Sequence, residues 1–282
     1  MKDKIIEGSV QLMEYITLNS GAKMPIIGTG TNTYGKANND YSGEILDDIP
    51  ELKDAIELGY RSIDAAISYR NEALVGKVIA QSNVPRDEFF ITTKIPNKDE
   101  YVASKEAVRE TINQSLENFE TDYIDLYLIH HPIENKDYFK QTWQVLEEYH
   151  KDGKIRSIGV SNFDEALLDE LKEFATVKPA VNQIQINLKE PNTTLLERLR
   201  NEKITPVAWG PMKATDEQIE ALKEIGRNHD KTWGQILLKF QIQRGIVVIP
   251  KSHNQENQKA NLDLFDFKLT DEEVHQIENL SE

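Results

Sequence analysis

The 282-residue chain contains no cysteine. That removes disulfide scaffolds, thiol nucleophiles, cysteine-held zinc and iron–sulfur clusters together. It also lacks any uninterrupted apolar run of the roughly 18 residues that read as a bilayer-spanning helix. Basic residues are scarce: 33 Lys+Arg stand against 48 Asp+Glu, a formal charge of −15. Nucleic acids and anionic membranes both attract a basic face, so neither is expected as a partner. No low-complexity tract or Pro/Gly/Ser-rich linker interrupts the chain, so 1–282 reads as one domain. Met1 to Glu7 carry charges and no apolar core of a secretory signal, which makes a cytoplasmic location the expectation.

What is present is an alternation. Strand-like apolar runs fall at Ile26–Thr29, Arg61–Asp64, Phe89–Lys94, Ile124–His130, Ser157–Ser161, Ala180–Gln185, Thr205–Trp209 and Val247–Pro250. Helix-like stretches lie between them: Glu51–Leu58, Glu72–Ala80, Ser104–Phe119, Tyr138–Lys151, Glu165–Phe174 and Thr193–Asn201. Gly59 and Gly153 read as helix stops, Asp164 as a start, and Thr215 with Gln218 as a capping box. Runs apolar on both faces, such as Leu126–Ile129, are those of strands buried on both sides. Eight strand–helix units in about 250 residues match an α/β fold of the (β/α)8 TIM-barrel type. Residues 14–25 read as an N-terminal β-hairpin around Asn19–Gly21 that plugs the barrel bottom. Residues 216–245 hold two helical patterns where one would suffice, and 263–282 a C-terminal helix and tail. A doubly wound sheet is the competing fold, but Gly28-Thr29-Gly30 is followed by Asn32–Gly35 with the wrong spacing for its dinucleotide fingerprint.

Barrel enzymes place their chemistry at the C-terminal ends of the strands. There the chain offers Asp64 with Tyr69 just beyond, Lys94, His130, Ser161-Asn162, Asn182-Gln183, Trp209 and Lys251-Ser252. Singly, each has a plain reading: Asp64 a helix cap, Lys94 a surface lysine, Tyr69 packing, His130 a satisfied core histidine. His130-His131 suggests a metal, but adjacent strand residues point to opposite faces and no third ligand is suitably spaced, so no metal is expected. Together, Asp, Tyr, Lys and His at one rim form an acid–base set. A lysine ammonium beside a phenol favours phenolate and lowers its pKa; an aspartate keeps the lysine charged; the histidine bonds the phenol or the substrate oxygen. Such a group can protonate a carbonyl oxygen while hydride arrives at carbon, and the hydride must come from a cofactor.

These stretches resemble the aldo-keto reductase superfamily along nearly the whole chain, from Met24–Gly28 to Phe265–Phe267. The matching motifs are Gly59–Ala66, Tyr69–Glu72 with Val75-Gly76, Thr92–Ile95, Asp125–His130, Ile158–Phe163, Val181–Gln183 and Ile249–Ser252. The resemblance implies that Asp64, Tyr69, Lys94 and His130 are a catalytic tetrad with Tyr69 as the proton donor in reduction. It implies an extended NADP(H) touched by Thr31, Ser161, Asn162, Gln183, Trp209, Lys251, Ser252, Asn254 and Asn261. Of these, Ser161, Asn162 and Gln183 match carboxamide positions, Trp209 the ring that stacks on nicotinamide, and Lys251-Ser252 positions at the adenosine 2′-phosphate. Three departures change the expectations. Asn257 stands where the family commonly has arginine, and Ala260 where it has glutamate; losing a guanidinium fork weakens phosphate recognition, so NAD(H) is expected as a second dinucleotide. Gly210 replaces a frequent serine near the pyrophosphate. Asn32 and His131 stand at substrate-pocket positions that are often aromatic, with Tyr34 or Tyr41 brought in by the insertion-like stretch 33–41. An open, polar pocket for small aldehydes, α-dicarbonyls or sugar-like ketones follows. A barrel that binds nicotinamide as a regulatory subunit would not require Tyr69 and Lys94 together, and a Schiff-base lyase on Lys94 leaves Trp209 and Lys251-Ser252 without a role. Monomer or weak homo-oligomer is expected by analogy. The charge is uneven: residues 263–282 hold seven acids and one lysine, whereas 245–262 hold Lys251 and Lys259 against Glu256.

Overall fold

The computed structural model describes residues 13–281. The reading of Met1 to Glu7 lies outside them. Strands β1 (Tyr15–Thr17) and β2 (Lys23–Pro25) form the antiparallel hairpin, with Ile16 opposite Met24. Eight further strands follow: β3 (Thr29–Gly30), β4 (Ser62–Asp64), β5 (Phe90–Ile95), β6 (Ile124–Ile129), β7 (Ile155–Ser161), β8 (Val181–Gln185), β9 (Thr205–Trp209) and β10 (Val247–Val248). All neighbours pair in parallel and in chain order. The ring closes through a parallel bridge between Ile27 and Val248. Gly28 N donates to Val248 O at 2.9 Å and Val248 N to Ile26 O at 3.0 Å. The fold is therefore the eight-stranded barrel that the alternation indicates.

The strands alternate with helices α1 (Pro50–Leu58), α2 (Glu72–Gln81), α3 (Asp99–Val102), α4 (Lys105–Asn118), α5 (Lys136–Lys151), α6 (Glu165–Lys172), α7 (Thr193–Asn201), α8 (Asp216–His229), α9 (Trp233–Gln243), α10 (Gln255–Leu262) and α11 (Asp271–Asn279). Gly59 ends α1 in the left-handed region, Asp164 caps α6 through Leu167 N, and Thr215 with Gln218 completes the capping box of α8. Several ends differ from the sequence reading, three of them for a visible reason. The first strand runs to Gly30 and the last stops at Val248, because the two meet only at the short seam around Ile27 and Pro250 has no N–H for a ladder. Helix α5 begins two residues early because the Asn135 side chain accepts from Asp137 N and Tyr138 N.

The period-2 alternation of side chains sorts the core into two layers. Ile63, Ile91, Tyr127, Ile129, Ile158, Val160, Ala208 and Val248 face the helices. Phe90, Leu126, Leu128, Val181, Val207 and Val247 pack inside the ring, together with Leu18 and Met24 of the hairpin. The hairpin thus fills one mouth of the barrel, and Ser20 Oγ reaches Ser157 Oγ at 2.7 Å to fasten it. Continuing these inward rows by two residues, or four on β5, carries the chain from Phe90 to Lys94, Leu128 to His130, Val181 to Gln183 and Val207 to Trp209. Four of the strands that fill the floor with an apolar side chain thus offer a polar or aromatic one at the opposite mouth.

Candidate active site

At that mouth Lys94 is fully buried. Its ammonium donates to Asp64 Oδ1 at 2.6 Å, to Ala65 O at 2.8 Å and to the Tyr69 hydroxyl at 3.3 Å. Asp64, buried at the end of β4, spends its second oxygen on Gln183 Nε2 at 2.7 Å. Tyr69 sits on a helical turn over Ile67–Tyr69 that Arg70 ends with φ +61°. Behind it the motif residues Asn71 and Glu72 fix the frame. Asn71 Nδ2 donates to Thr31 O at 2.8 Å and Tyr34 O at 3.1 Å, and buried Glu72 accepts from Thr93, Ser115 and Asn118. Burial holds the Glu72 carboxyl above its ordinary pKa.

The electrostatics differ in one respect from the sequence expectation. Burial raises the pKa of the Tyr69 phenol, and the Lys94 ammonium pulls it down without overcoming that. The phenol therefore keeps its proton, with the Lys94 ammonium 3.3 Å from its oxygen. Burial disfavours the Lys94 ammonium too, but Asp64 and Tyr69 outweigh it and hold its pKa above the ordinary value. His130 goes the other way: burial first, then the charge of Lys94 and the neighbouring His131, push it down to about 2. It is a neutral imidazole, its ring 5.7 Å from that of Tyr69 and its Nδ1 buried without a partner.

His131 corrects the alternation argument. His130 still follows the strand, its N–H donating to Ile95 O at 2.9 Å, but His131 lies past the ladder and is free of the pleat, so the two rings stack at 4.5 Å and 14°. Trp209 fixes the proton positions around them. The indole N–H can only donate, and it reaches Asn162 Oδ1 at 2.9 Å. The other end of Asn162, at φ +61°, donates to His130 O at 3.0 Å and to His131 Nδ1 at 3.2 Å. His131 Nδ1 is thus an acceptor and its proton rests on Nε2.

One cavity of about 500 Å³ joins these groups. Asn32, Asp64, Tyr69, His130 and His131 line it together with Ser161, Asn162, Gln183, Trp209 and Lys251. Gly210–Lys213, which the sequence reading did not single out beyond Gly210, complete its wall. The available signal was a loop with a lysine directly after a strand end. Several named residues do not line it. Thr31 is buried, its hydroxyl donating to Asp64 O at 2.9 Å. Asn254 caps α10 by accepting from Asn257 N, Ser252 Oγ donates to Asn254 O at 3.2 Å, and Asn261 is buried beside Tyr60. Tyr34 is not a pocket residue. It is fully buried, and its hydroxyl donates to Ser252 O at 2.8 Å and meets Thr29 and Gln258, so it braces the segment after β10 from below. Tyr41 comes to the site instead, edge-on to Tyr69 at 6.1 Å. Its backbone carbonyl is held by Lys36 Nζ at 2.7 Å and Arg70 at 3.0 Å.

Comparison with known proteins points one way. Residues 26–282 match the sequence model described as the Aldo/keto reductase family. The chain is 39% identical over 271 residues to a glyoxal reductase of Bacillus subtilis, covering 96% of this chain and 94% of that protein. It is 35% identical over 274 residues to a methylglyoxal reductase of Escherichia coli, covering 95% and 93%. A crystal structure of a Bombyx mori aldo-keto reductase in complex with NADP superposes with a TM-score of 0.85 at 34% identity, covering 96% of this chain and 94% of that one.

Proposed function

The chain belongs to the aldo/keto reductase family and is an oxidoreductase, and from that premise we propose that it reduces small aldehydes, α-dicarbonyls or sugar-like ketones with NADP(H), the proton coming from Tyr69. The observation that carries this reading is the Lys94 ammonium, fully buried and shared between Asp64 and Tyr69. The cavity suits an extended dinucleotide by its donors. The Trp209 ring and the Ser161, Asn162 and Gln183 side chains gather near the tetrad. Lys213 and Lys251 line the same cavity, and neither has a carboxylate within ion-pair distance among the described residues. Two unpaired ammoniums in one cavity of a strongly acidic protein favour an anionic ligand there. Thr31, Ser252, Asn254 and Asn261 complete the cofactor set by resemblance. NAD(H) is a second dinucleotide, since Asn257 brings no guanidinium. When bound, the nicotinamide supplies the hydride that no side chain can.

The protein's own part is proton placement. Tyr69, kept protonated by burial, gives its proton to the carbonyl oxygen. Lys94 stabilises the phenolate left behind, and Asp64 holds Lys94 charged and aimed. Neutral His130 bonds the substrate oxygen without competing for the proton. The Nε2–H of His131 and the Asn32 side chain make the substrate side polar, and a second oxygen beside the carbonyl fits such a wall. The likeness to a glyoxal and a methylglyoxal reductase supports the same substrate class.

Loss of NADPH absorbance over a panel of carbonyls tests the reading. Wild-type protein turns over methylglyoxal-sized substrates, and Tyr69→Phe lowers kcat by about 10²-fold or more, as loss of a positioned proton donor does. Turnover indifferent to Tyr69→Phe contradicts the mechanism, and a marked preference for bulky steroid ketones contradicts the pocket. A ratio of kcat/KM for NADPH over NADH above about 100 contradicts the relaxed cofactor choice.

A further inference from the structure

Four side chains from three separate parts of the chain form a continuous hydrogen-bonded line beside the cavity. Lys251 Nζ donates to Thr33 Oγ1 at 2.7 Å. Thr33 Oγ1 meets His253 Nε2 at 2.8 Å, and His253 Nδ1 meets Glu51 Oε1 at 2.7 Å. Thr33 lies beyond β3, Glu51 in the first turn of α1, and Lys251 and His253 beyond β10. Its far part is shielded, with Thr33 buried and side-chain exposures of 23% for His253 and 15% for Glu51, while Lys251 at its near end is exposed. Tyr34 packs edge-on against the His253 ring at 5.3 Å, which fixes the plane of the imidazole.

The donors and acceptors allow one ordering for a neutral ring. A carboxylate only accepts, so His253 carries its proton on Nδ1 and gives it to Glu51. Nε2 then accepts the Thr33 hydroxyl proton, and the oxygen of that hydroxyl takes a proton from the Lys251 ammonium. Each bond polarises the next in the same direction, which strengthens all of them. Lys251 is thereby tethered at one N–H, and its other two have no hydrogen-bond partner among the described residues. A lysine is a flexible point charge that ordinarily loses rotamer freedom on meeting a phosphate; here that freedom is already gone.

We propose that Glu51, His253 and Thr33 are positioning residues that pre-orient Lys251 for the 2′-phosphate, and that this line sets the preference for NADPH over NADH in place of the arginine absent at Asn257. The proposal rests on the reading of Lys251 as the phosphate contact. NADH carries no phosphate at that position, so the line acts on one dinucleotide and leaves the other alone.

The test is equilibrium binding of NADPH and NADH to the full chain, followed by protein fluorescence, with a urea unfolding curve for each variant. Thr33→Val keeps the side-chain shape and removes the hydroxyl. It raises the Kd for NADPH about tenfold and leaves that for NADH within about twofold, a shift of about 1.4 kcal/mol in discrimination. His253→Leu does the same from the far side of the hydroxyl, and Thr33→Ser restores tight NADPH binding. Lys251→Met separates the two ideas. If it leaves the NADPH Kd unchanged, the phosphate reading of Lys251 fails and the proposal with it. If it weakens NADPH while Thr33→Val and His253→Leu do not, Lys251 stands and the positioning line is overturned. Equal weakening of NADPH and NADH by Thr33→Val also overturns it, since a bracing role alone gives that result.

Discussion

Lys94 and Asp64 illustrate how a single buried charge governs its neighbours. An ammonium with no exposure survives only because a carboxylate and two further oxygens surround it. Asp64→Asn keeps the shape and removes the compensating charge, so urea unfolding is expected to show a loss of about 3 kcal/mol or more; a change under about 0.5 kcal/mol contradicts the account. His130 gives a pH dependence. Its folded pKa of about 2 lies below the ordinary value near 6.5, so the unfolded chain binds the extra proton between those limits. The stability owed to the neutral ring is complete above about pH 6.5 and is lost as pH falls, by about 2 kcal/mol at pH 5. His130→Gln flattens that part of the stability–pH curve, and an unchanged slope in the variant contradicts it. At this scale the sequence told which residue types gather at one rim, because strand ends are predictable. It did not tell which side of a loop faces the cavity. Tyr34 and Tyr41 lie in one irregular stretch with no periodicity, and only the bracing of Ser252 from below sends Tyr34 inward and leaves the edge of Tyr69 to Tyr41.

Helices and strands were the most legible level, because period 2 and period 3.6 are imposed by geometry before any tertiary contact forms. Strand β9 appears with the very bounds its apolar run suggests, and the capping box of α8 with both its hydrogen bonds. Helix α10 was not legible, since Gln255–Leu262 has almost no apolar stripe and is held instead by the Asn254 cap and by buried Gln258. The strands at the seam were read with shifted ends because short pairing across Ile27 and Val248 leaves little pattern to read. Caps can be weighed by substitution. Thr215→Ala removes the oxygen that accepts Gln218 N, and the urea midpoint is expected to fall by an amount worth about 1 kcal/mol. Gly76→Ala is expected to cost more than the cap does, because its Cβ would lie 2.2 Å from Asn118 O, where α2 packs against α4. If the alanine at 76 is neutral in the same assay, that close approach is not what the position requires.

Over the whole molecule the charge of −15 and the two unpaired lysines of the cavity act in opposite senses. Raising NaCl from about 0.01 to 0.3 M shortens the reach of charge from about 30 Å to well under 10 Å. Self-repulsion of the acidic shell is then screened and Tm rises, while attraction of the cavity wall for an anionic dinucleotide is screened and its Kd rises severalfold. A Tm that falls over this range, or a Kd that does not move, contradicts this division of charge. The seam has its own bearing on how the protein comes to exist. It joins a segment made early, around Ile27, to one made late, around Val248, whereas Asp64 through Trp209 are all translated in between. A ribosome that has passed Trp209 has supplied the whole tetrad with Ser161, Asn162 and Gln183 beside it, yet it still needs time on the order of seconds to reach His253. Thr33 and Glu51 wait through that interval with nothing to hold. The end of the groove that holds Lys251 is the last part of it to be born.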